Sequence, residues 1–359
     1  MKKIRLATVF SGIGSIEHAL LRLNLPHEIV FACDIDKYCK QSYFANYQIT
    51  DDKWFWDINT LDGNQFKGKV DLFVGGSPCQ SFSMVGKRKG LQDKRGILIF
   101  EFVRLVTEIE PEVFIFENVR GLLNHDGGAT FKCVLDEFIS TGYSISYKVL
   151  NAKDYGIPQN RERLFIVGIK KQNAHFEFPE PVELTLKVKD LLEDTPNPKY
   201  FLPPKGIAFV TNPVNLKKSY TQINGDIALC ETRNQQFNWH GDFVMEEPRK
   251  VNEKYFLSES VKKYVLSDGT KNFHTKPKTD LDIARPLLST MAKMHRAGVD
   301  NYYTYGSRIR KLTPRECLRL MGFDDRFKIV CSDTQMYKQA GNSIVSNIFI
   351  AILKKIYSL

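Results

Sequence analysis

The sequence of 359 residues lacks the features that would place it in several large classes of protein. No apolar run approaches the roughly 20 residues that a membrane-spanning helix needs. Residues 1–10 lead directly into a strand-like pattern, so we expect neither secretion nor membrane insertion. The seven cysteines are an odd number without a C-x-x-C pair, which fits neither a disulfide framework nor a zinc site. We therefore expect a protein of the reducing cytoplasm that binds no metal.

Positive charge is in excess. The chain has 51 lysines and arginines against 41 aspartates and glutamates, a formal net charge of +10. A surplus of this sign favours a polyanionic partner, because contacts with phosphates release counterions. The 43% of hydrophobic residues can build a substantial core, enough for one large domain or two modest ones.

Strand-like and helix-like segments alternate over the first 170 residues. Short apolar runs, rich in β-branched and aromatic residues, predict strands at 4–10, 29–33, 70–74, 113–116 and 164–169. Apolar residues at helical spacing predict helices at 17–25, 97–109 and 130–139. This order predicts an α/β fold with a mostly parallel, doubly wound, Rossmann-like sheet that is covered by helices on both faces.

The pattern changes near residue 180, where prolines become frequent and no clear period remains. Residues 343–356 then form a strongly apolar helical pattern, which Ser343 is predicted to cap. We expect a first domain at 1–180, a second, smaller and irregular domain at 181–323, and a segment at 324–359 that packs back onto the first domain.

A cysteine follows one of the predicted strands. Cys79 stands at the end of Gly-Gly-Ser-Pro-Cys, just after the run at 70–74, and a thiol there is a candidate nucleophile because open α/β sheets bind ligands beyond the carboxyl ends of their strands. Glu117 ends another strand, where it could protonate a ring nitrogen. Arg161 and Arg163 face one side of an extended segment and could clamp a carbonyl oxygen or hold Glu117. Each residue alone also has an ordinary structural explanation.

A second group of residues predicts a small-molecule site. Phe10-Ser11-Gly12-Ile13-Gly14 joins the first strand to the first helix, where backbone N–H groups can meet a ligand. A dinucleotide fingerprint would have a third glycine at Glu17, so the loop suits a cofactor without phosphates. Asp34 stands where a carboxylate accepts hydrogen bonds from a ribose, and Asp57-Ile58 could meet an adenine. Alternatively, the glycines only form a tight turn and Asp57 is a surface cap.

Taken together, the motifs strongly resemble those of the bacterial DNA (cytosine-5) methyltransferases. The matching motifs, in order, are F-x-G-x-G at 10–14, D-I-D at 34–36, D-I at 57–58, G-S-P-C-Q at 76–80, E-N-V at 117–119, Q-N-R-E-R at 159–163 and G-N-S at 341–343. The resemblance covers most of residues 5–170 and 308–350, including two long stretches at 86–96 and 310–323. Residues 180–307 show no comparable match, which is what the variable target-recognition region of this family implies.

The resemblance implies a reaction. Cys79 would add to carbon 6 of cytosine and so make carbon 5 nucleophilic enough to accept a methyl group from S-adenosylmethionine. Glu117 would assist at N3 and Arg163 at the carbonyl oxygen O2, and Arg161 stays a further catalytic candidate on the residue pattern alone. The cytosine would be flipped out of double-stranded DNA, and a loop at 81–96 would close over it. No metal is required.

The resemblance also assigns binding residues. Phe10 would stack on the adenine of the cofactor, Asp34 would hold the ribose, Asp57 the adenine amino group and Asn342 the methionine end. The other residues assigned to the cofactor are Ser11, Gly12, Gly14, Ile35, Ile58 and Pro78, and those assigned to DNA are Ser83, Lys87, Arg95 and Thr290. Two departures stand out, because the family often has glutamate and a larger apolar or aromatic residue at 34–35 and a Thr-Leu pair at 290–291.

Three functional classes stay open at this point. The leading one is a site-specific DNA methyltransferase of a restriction-modification system, acting as a monomer and paired in function with a restriction endonuclease. A second is a tRNA methyltransferase of the same fold. A third is a silent DNA-binding regulator or a thiol hydrolase, although no motif places a histidine near Cys79 as a Cys-His hydrolase requires. The recognised bases are not predicted, and Arg233, Asn234, Gln235 and Gln236 are only candidates for reading them.

Overall fold

A seven-stranded sheet forms the centre of the fold. The computed structural model describes residues 2–78, 98–171, 173–193, 198–233, 238–246, 259–267, 269–270, 273–274, 308–311 and 313–359. The strands of the central sheet are β1 (Ile4–Val9), β2 (His27–Cys33), β3 (Trp54–Phe55), β4 (Leu72–Gly75), β5 (Val113–Val119), β6 (Ser144–Asn151) and β7 (Glu162–Ile169). Their spatial order is β3-β2-β1-β4-β5-β7-β6.

The sheet is mostly parallel. Strands β3, β2, β1, β4 and β5 run in one direction, and β7 lies antiparallel between β5 and β6. The strand order changes direction between β1 and β4, and such switch points open a crevice beyond the carboxyl ends of the strands. The predicted α/β, doubly wound fold class is confirmed.

Helices cover both faces of the sheet. The described α-helices are α1 (Ser15–Arg22), α2 (Lys37–Asn46), α3 (Leu98–Ile109), α4 (Ala129–Ser140), α5 (Pro204–Val210), α6 (Pro213–Lys217), α7 (Glu259–Val265), α8 (Pro314–Leu320), α9 (Asp333–Asn342) and α10 (Ser346–Ile356). Leu72 and Val74 of β4 pack in a cluster with α1, α2 and α10, whereas Phe73 packs with α3 and α4. This alternation follows from the two-residue period of a strand.

The region after residue 180 contains more regular structure than its sequence pattern suggests. Its described strands are β8 (Thr221–Ile223), β9 (Gly241–Glu246), β10 (Gly269–Thr270), β11 (Phe273–His274) and β12 (Arg308–Lys311). They form a three-stranded sheet in the order β12-β9-β8 and a two-stranded pair of β10 and β11. The first hydrophobic cluster includes Tyr200, Val244, Leu318 and Phe349 together with the central sheet. The domain boundaries at 180 and 323 stay predictions.

The carboxyl-terminal prediction needs one correction. Ser343 does not cap the last helix, because its backbone is extended and it ends α9. The last helix, α10, begins three residues later at Ser346, with Val345 at its N-cap. The sequence pattern missed α9 because this helix is polar and ends in Gly341-Asn342, residues of low helix propensity.

Candidate active site

Several of the predicted site residues that the structure describes lie along one rim of the central sheet. Strand β1 is followed by the loop of residues 10–14, β2 by Asp34, β3 by Asp57 and β4 by Pro78. Because these strands are parallel neighbours, their carboxyl ends lie side by side at the same edge. Cys79, the next residue after Pro78, lies outside the described residues.

Glu117 and Arg163 form a largely buried ion pair at this rim. The Nε atom of Arg163 lies 3.1 Å from Oε1 of Glu117, and the two side chains are 17% and 11% exposed. Burial raises the pKa of Glu117, and the charges of Arg163 and Arg161 oppose that rise. A Cβ at Gly76 would lie 2.9 Å from Oε2 of Glu117, so the glycine after β4 gives this carboxylate its space. The pair therefore borders the segment that leads to Cys79.

Asn118 fixes the chain just before Pro78. Its Nδ2 atom donates to both the backbone oxygen and the hydroxyl of Ser77, each at 3.2 Å, and the side chain is buried. A buried amide that donates to a neighbouring strand end restrains that end strongly. The sequence indicates Asn118 only as part of the E-N-V motif, because its role depends on contact between β5 and the end of β4.

Among the described residues, the guanidinium group of Arg161 donates to backbone oxygens and not to Glu117. The residue is 3% exposed, and its guanidinium group donates to the backbone oxygens of Glu231 (2.9 Å), Gly341 (3.1 Å) and Ser343 (2.8 Å). Two of these oxygens belong to the end of α9, where carbonyl groups lack partners within the helix. A Cβ at Gly341 would lie 2.7 Å from the carbonyl carbon of Thr232, so glycine lets this segment approach. Arg161 therefore joins the central sheet to α9 and to residues 230–232.

Gln159 makes a second connection of this kind, which the sequence pattern did not assign. It is fully buried, its Nε2 atom donates to the backbone oxygen of Leu320 at 2.9 Å, and its Oε1 atom accepts from the backbone N–H of Glu231 at 3.1 Å. The side chains of Gln159 and Arg161 thus hold the same segment from two sides. Only the tertiary contacts reveal this pairing.

The loop after β1 has an uncommon backbone. Phe10, Gly12 and Gly14 have φ values of +53°, +55° and +78°. Positive φ is rare for a bulky residue such as phenylalanine, and strain of this kind gathers at ligand sites. A Cβ at Gly14 would lie 2.1 Å from the ring of Tyr47, whose hydroxyl donates to the backbone oxygen of Gly14 at 2.7 Å. The positive φ values favour glycine at both positions 12 and 14, and at Gly14 the ring of Tyr47 also leaves no space for a side chain.

Asp34 is tied to this loop. Its Oδ2 atom accepts from the backbone N–H of Gly12 and its Oδ1 atom from that of Asp36, both at 2.8 Å. Burial raises the pKa of Asp34, while these two hydrogen bonds oppose the rise. A carboxylate can accept about four hydrogen bonds, so capacity for further donors remains. The neighbouring Ile35 is 81% exposed, although large apolar side chains are usually buried.

The remaining cofactor candidates occupy the same rim with different exposure. Asp57 caps a short turn, because its Oδ1 atom accepts from the backbone N–H of Asn59 at 2.9 Å and from its side chain at 2.7 Å. Ile58 is buried, Phe10 is partly buried against the same cluster, and Asn342 is exposed at the end of α9. Oδ1 of Asp57 therefore acts as a cap on the surface, as one of the two interpretations expects, and Oδ2 takes no part in this cap.

The predicted DNA contacts cannot be placed. Ser83, Lys87, Arg95 and Thr290 lie outside the described residues, as do Asn234, Gln235 and Gln236, whereas Arg233 is exposed on the surface. Within the described part of the chain, no cluster of three or more histidine, cysteine, aspartate or glutamate side chains could bind a metal ion. That part also has no helix with the length and apolarity to cross a membrane.

Comparison with known proteins gives consistent matches over the whole chain. Residues 4–358 match the family model described as C-5 cytosine-specific DNA methylase. The chain is 34% identical to the Type II methyltransferase M.Bsp6I of Bacillus sp. strain RFL6, over 99% of this chain and 98% of that protein. It is 30% identical to the orphan methyltransferase M.SPRI of Bacillus phage SPR, over 99% and 98% of the two chains. The crystal structure of the S. pombe Dnmt2 methyltransferase superposes with a TM-score of 0.68 at 20% identity, over 99% of this chain and 98% of that one, which shows the common fold.

Proposed function

Since this chain belongs to the C-5 cytosine-specific DNA methylase family, we propose that it transfers a methyl group from S-adenosylmethionine to carbon 5 of a cytosine flipped out of duplex DNA. The observation that carries the proposal is the buried Glu117–Arg163 pair, which borders the strand end leading to Cys79. A carboxyl group and a guanidinium group placed together beside a thiol can bind a pyrimidine ring at N3 and O2 while the thiol attacks carbon 6.

The residues of the rim fit S-adenosylmethionine. Asp34 offers carboxylate lone pairs to ribose hydroxyls, and the exposed Ile35, with Phe10 and Ile58, offers apolar surface to an adenine ring. Within the described residues, the Oδ2 atom of Asp57 has no hydrogen-bond partner and can accept from the adenine amino group. Glu17 in place of a third glycine makes the loop unsuitable for a pyrophosphate. When bound, this cofactor supplies an electrophilic methyl group.

The reaction begins at the cysteine. The Cys79 thiolate adds to carbon 6, and the electron pair of the C5–C6 double bond moves toward carbon 5 and into the ring. Glu117 donates a proton to N3 as this charge develops, and burial favours this step because it raises the pKa of the carboxyl group, although the charges of Arg163 and Arg161 oppose that rise. Arg163 keeps a guanidinium edge near the ring for O2, since only one of its Nη atoms donates to Glu162 among the described residues.

The later steps restore the ring. Carbon 5 would take the methyl group as the methyl–sulfur bond of the cofactor breaks and the sulfur keeps the electron pair, so that S-adenosylhomocysteine leaves. Carbon 5 then loses its own proton to solvent, and the resulting electron pair expels the thiolate from carbon 6. Glu117 takes back the N3 proton. Arg161 has a positioning role, because its guanidinium group holds the end of α9 and thereby Asn342, which we assign to the methionine end of the cofactor.

The family, described as DNA methylases, supports DNA as the substrate in place of tRNA. The net charge of +10 favours phosphate contacts with either nucleic acid. The relatives include Type II and orphan methyltransferases, and we propose a Type II enzyme, paired in function with a restriction endonuclease. We further propose that the protein is a monomer of the cytoplasm, with Ser83, Lys87, Arg95 and Thr290 on the DNA.

The test is transfer of a labelled methyl group from S-adenosylmethionine to genomic DNA that lacks cytosine methylation and, in parallel, to unmodified tRNA. The proposal predicts label in DNA, conversion-resistant cytosines confined to one short motif after bisulfite sequencing, and loss of transfer in Cys79→Ser. Label in tRNA alone would establish the RNA alternative. Transfer by Cys79→Ser near the wild-type rate would overturn the covalent mechanism.

A further inference from the structure

A carboxylate that the mechanism does not use lies directly beneath the cofactor loop. Glu17, the third residue of α1, is fully buried. Its Oε1 atom accepts from the hydroxyl of Tyr43 at 2.5 Å and from that of Thr8 at 3.2 Å. Its Oε2 atom has no partner among the described residues. A buried carboxylate is costly, so its charge state depends closely on the hydroxyl of Tyr43, on the backbone N–H of Glu17 itself and on the hydroxyl of Thr8.

Glu17 is the end of a chain of hydrogen bonds that passes through the loop. The hydroxyls of Thr8 and Ser11 lie 2.8 Å apart, and the Ser11 hydroxyl accepts from the backbone N–H of Cys33 at 3.0 Å. Ser11 lies between Phe10 and Gly12, and Cys33 precedes Asp34. The chain therefore connects Glu17 with residues on both sides of the ribose position.

The chain has two possible directions because each hydroxyl has one proton. When Thr8 donates to Glu17, Ser11 donates to Thr8. When Thr8 instead donates to Ser11, the Ser11 hydroxyl has an alternative acceptor in the backbone oxygen of Cys33, at 3.2 Å. An ionised carboxylate favours the first direction, since hydrogen bonds to a charged acceptor are the stronger ones.

We propose that Glu17 is a positioning residue for cofactor binding: when ionised it holds residues 10–14 in the binding arrangement, and when protonated it lets the chain reverse and the loop bind more weakly. The inference rests on the proposed function. Burial raises the pKa of Glu17 to about 7, so both directions are populated near neutral pH. Cofactor affinity should therefore increase with pH through this range.

The surroundings of Glu17 contain few other titrating groups. Tyr43 of α2 donates its hydroxyl to Glu17, whereas the hydroxyl of Tyr47, the residue after α2, donates to the backbone oxygens of Ile13 and Gly14. Burial first and the charge of Glu17 second raise the pKa values of both tyrosines far above the neutral range. Strand β1 contributes the neutral Thr8. His18, the next residue of α1, faces Phe323 and Asp324 instead. Among the described residues, no cationic side chain forms an ion pair with Glu17. Ile344, the residue of the segment before α10 that contacts α1, contributes only a backbone oxygen, to Ser15.

The test is calorimetric titration of S-adenosylmethionine into the full-length protein between about pH 6 and about pH 8. Glu17→Gln keeps the shape and removes the titration, and Tyr43→Phe removes one donor to the ionised form. The control is Glu28→Gln, which makes the same chemical change at an exposed side chain that pairs with Lys3 on the surface. Titration of Asp34 and of the cofactor amino group is common to all four proteins, so the ratio of Kd values isolates Glu17.

From about pH 6 to about pH 8, the cofactor affinity of the wild-type protein should increase up to about tenfold when it is divided by the affinity of Glu17→Gln at the same pH, because the binding-competent fraction increases. Glu28→Gln should behave like the wild-type protein. Tyr43→Phe should move the midpoint upward by about one to two pH units, because the charged form loses a donor. The inference about Glu17 would be overturned, with the proposed function left intact, if the affinity of Glu17→Gln changed with pH in parallel with that of Glu28→Gln. An unmoved midpoint in Tyr43→Phe would have the same consequence. Absence of binding by the wild-type protein at every pH would instead overturn the proposed function. If Glu17→Gln does not fold, Tyr43→Phe decides.

Discussion

A methyl group added at Gly14 should destabilise the protein far more than one added at Gly12. Both residues have positive φ, +78° and +55°, which costs an L residue about 1–2 kcal/mol. At Gly12 the nearest atom to an added Cβ is the backbone oxygen of Phe10, at 3.9 Å. At Gly14 the added Cβ lies 2.1 Å from Cε2 and 2.7 Å from Cζ of Tyr47. Gly14→Ala therefore requires the ring to move.

Movement of that ring is costly because Tyr47 is fixed at both ends. Its hydroxyl donates to the backbone oxygens of Gly14 (2.7 Å) and Ile13 (3.1 Å), and its ring packs against Tyr43 at 4.9 Å between centroids. Overpacking adds about 1–3 kcal/mol, and a lost hydrogen bond adds about 0.5–1.5 kcal/mol. We expect the free energy of unfolding to fall by about 1–2 kcal/mol in Gly12→Ala and by about 3–6 kcal/mol in Gly14→Ala.

Urea unfolding followed by circular dichroism measures both values. Because the clash involves one ring, Tyr47→Ala should remove most of the additional cost of Gly14→Ala, and the double mutant should be more stable than the sum of the single changes indicates. Equal destabilisation by Gly12→Ala and Gly14→Ala would refute the reasoning, as would strict additivity of Gly14→Ala and Tyr47→Ala.

Three further predictions follow from charged groups. The charge of Arg163 lowers the pKa of Glu117, so its removal in Arg163→Met should raise that pKa. The midpoint of the pH profile of methyl transfer should then move upward by at least about one unit. A midpoint that does not move would contradict the pairing of Glu117 with Arg163. Arg161→Lys should lower the free energy of unfolding by about 2–4 kcal/mol, because one ammonium group cannot reach three carbonyl oxygens. The control is Arg120→Lys, at an exposed side chain, which should change the free energy of unfolding by less than about 0.5 kcal/mol. Asp71→Asn should cost about 2 kcal/mol at neutral pH, because burial raises the pKa of Asp71 but hydrogen bonds from Arg5 outweigh it and lower the pKa to about 2. That stability is present above the ordinary pKa of the carboxyl group and is lost as pH falls through about 2. Acid unfolding of the wild-type protein and of the variant should therefore converge near that pH.

The sequence predicts the central sheet well because its strands are short, apolar and buried on both faces. The helix at 98–109 has a strong apolar stripe, and its predicted and observed ends nearly coincide. The polar helix α2 has no such stripe, since Ser42 and Tyr43 are its only buried residues, and it was missed. The edge strand β6 alternates partly exposed residues and was missed for a similar reason.

The site was predictable as a set of motifs and less so as a set of contacts. Local patterns place Asp34 and Asp57 just after strands, as observed, whereas Glu117 lies within β5, two residues before its end. The hydrogen bonds of Gln159 and Arg161 to residues 320 and 341–343 join positions more than 150 residues apart, and no local pattern contains them. Similarly, the burial of Glu17 beneath the loop depends on Tyr43 of α2, a helix that the pattern did not show.

The covalent adduct is the most direct test of the mechanism. Once the methylated motif is known, the protein is incubated with S-adenosylmethionine and a duplex whose target cytosine has fluorine at carbon 5, which blocks the final loss of the carbon 5 proton. Mass spectrometry should find the Cys79 peptide linked to the methylated duplex, and no adduct in Cys79→Ser. The account would be contradicted if the protein methylated the unmodified duplex normally but the fluorinated duplex was never linked to it, or was linked at a residue other than Cys79.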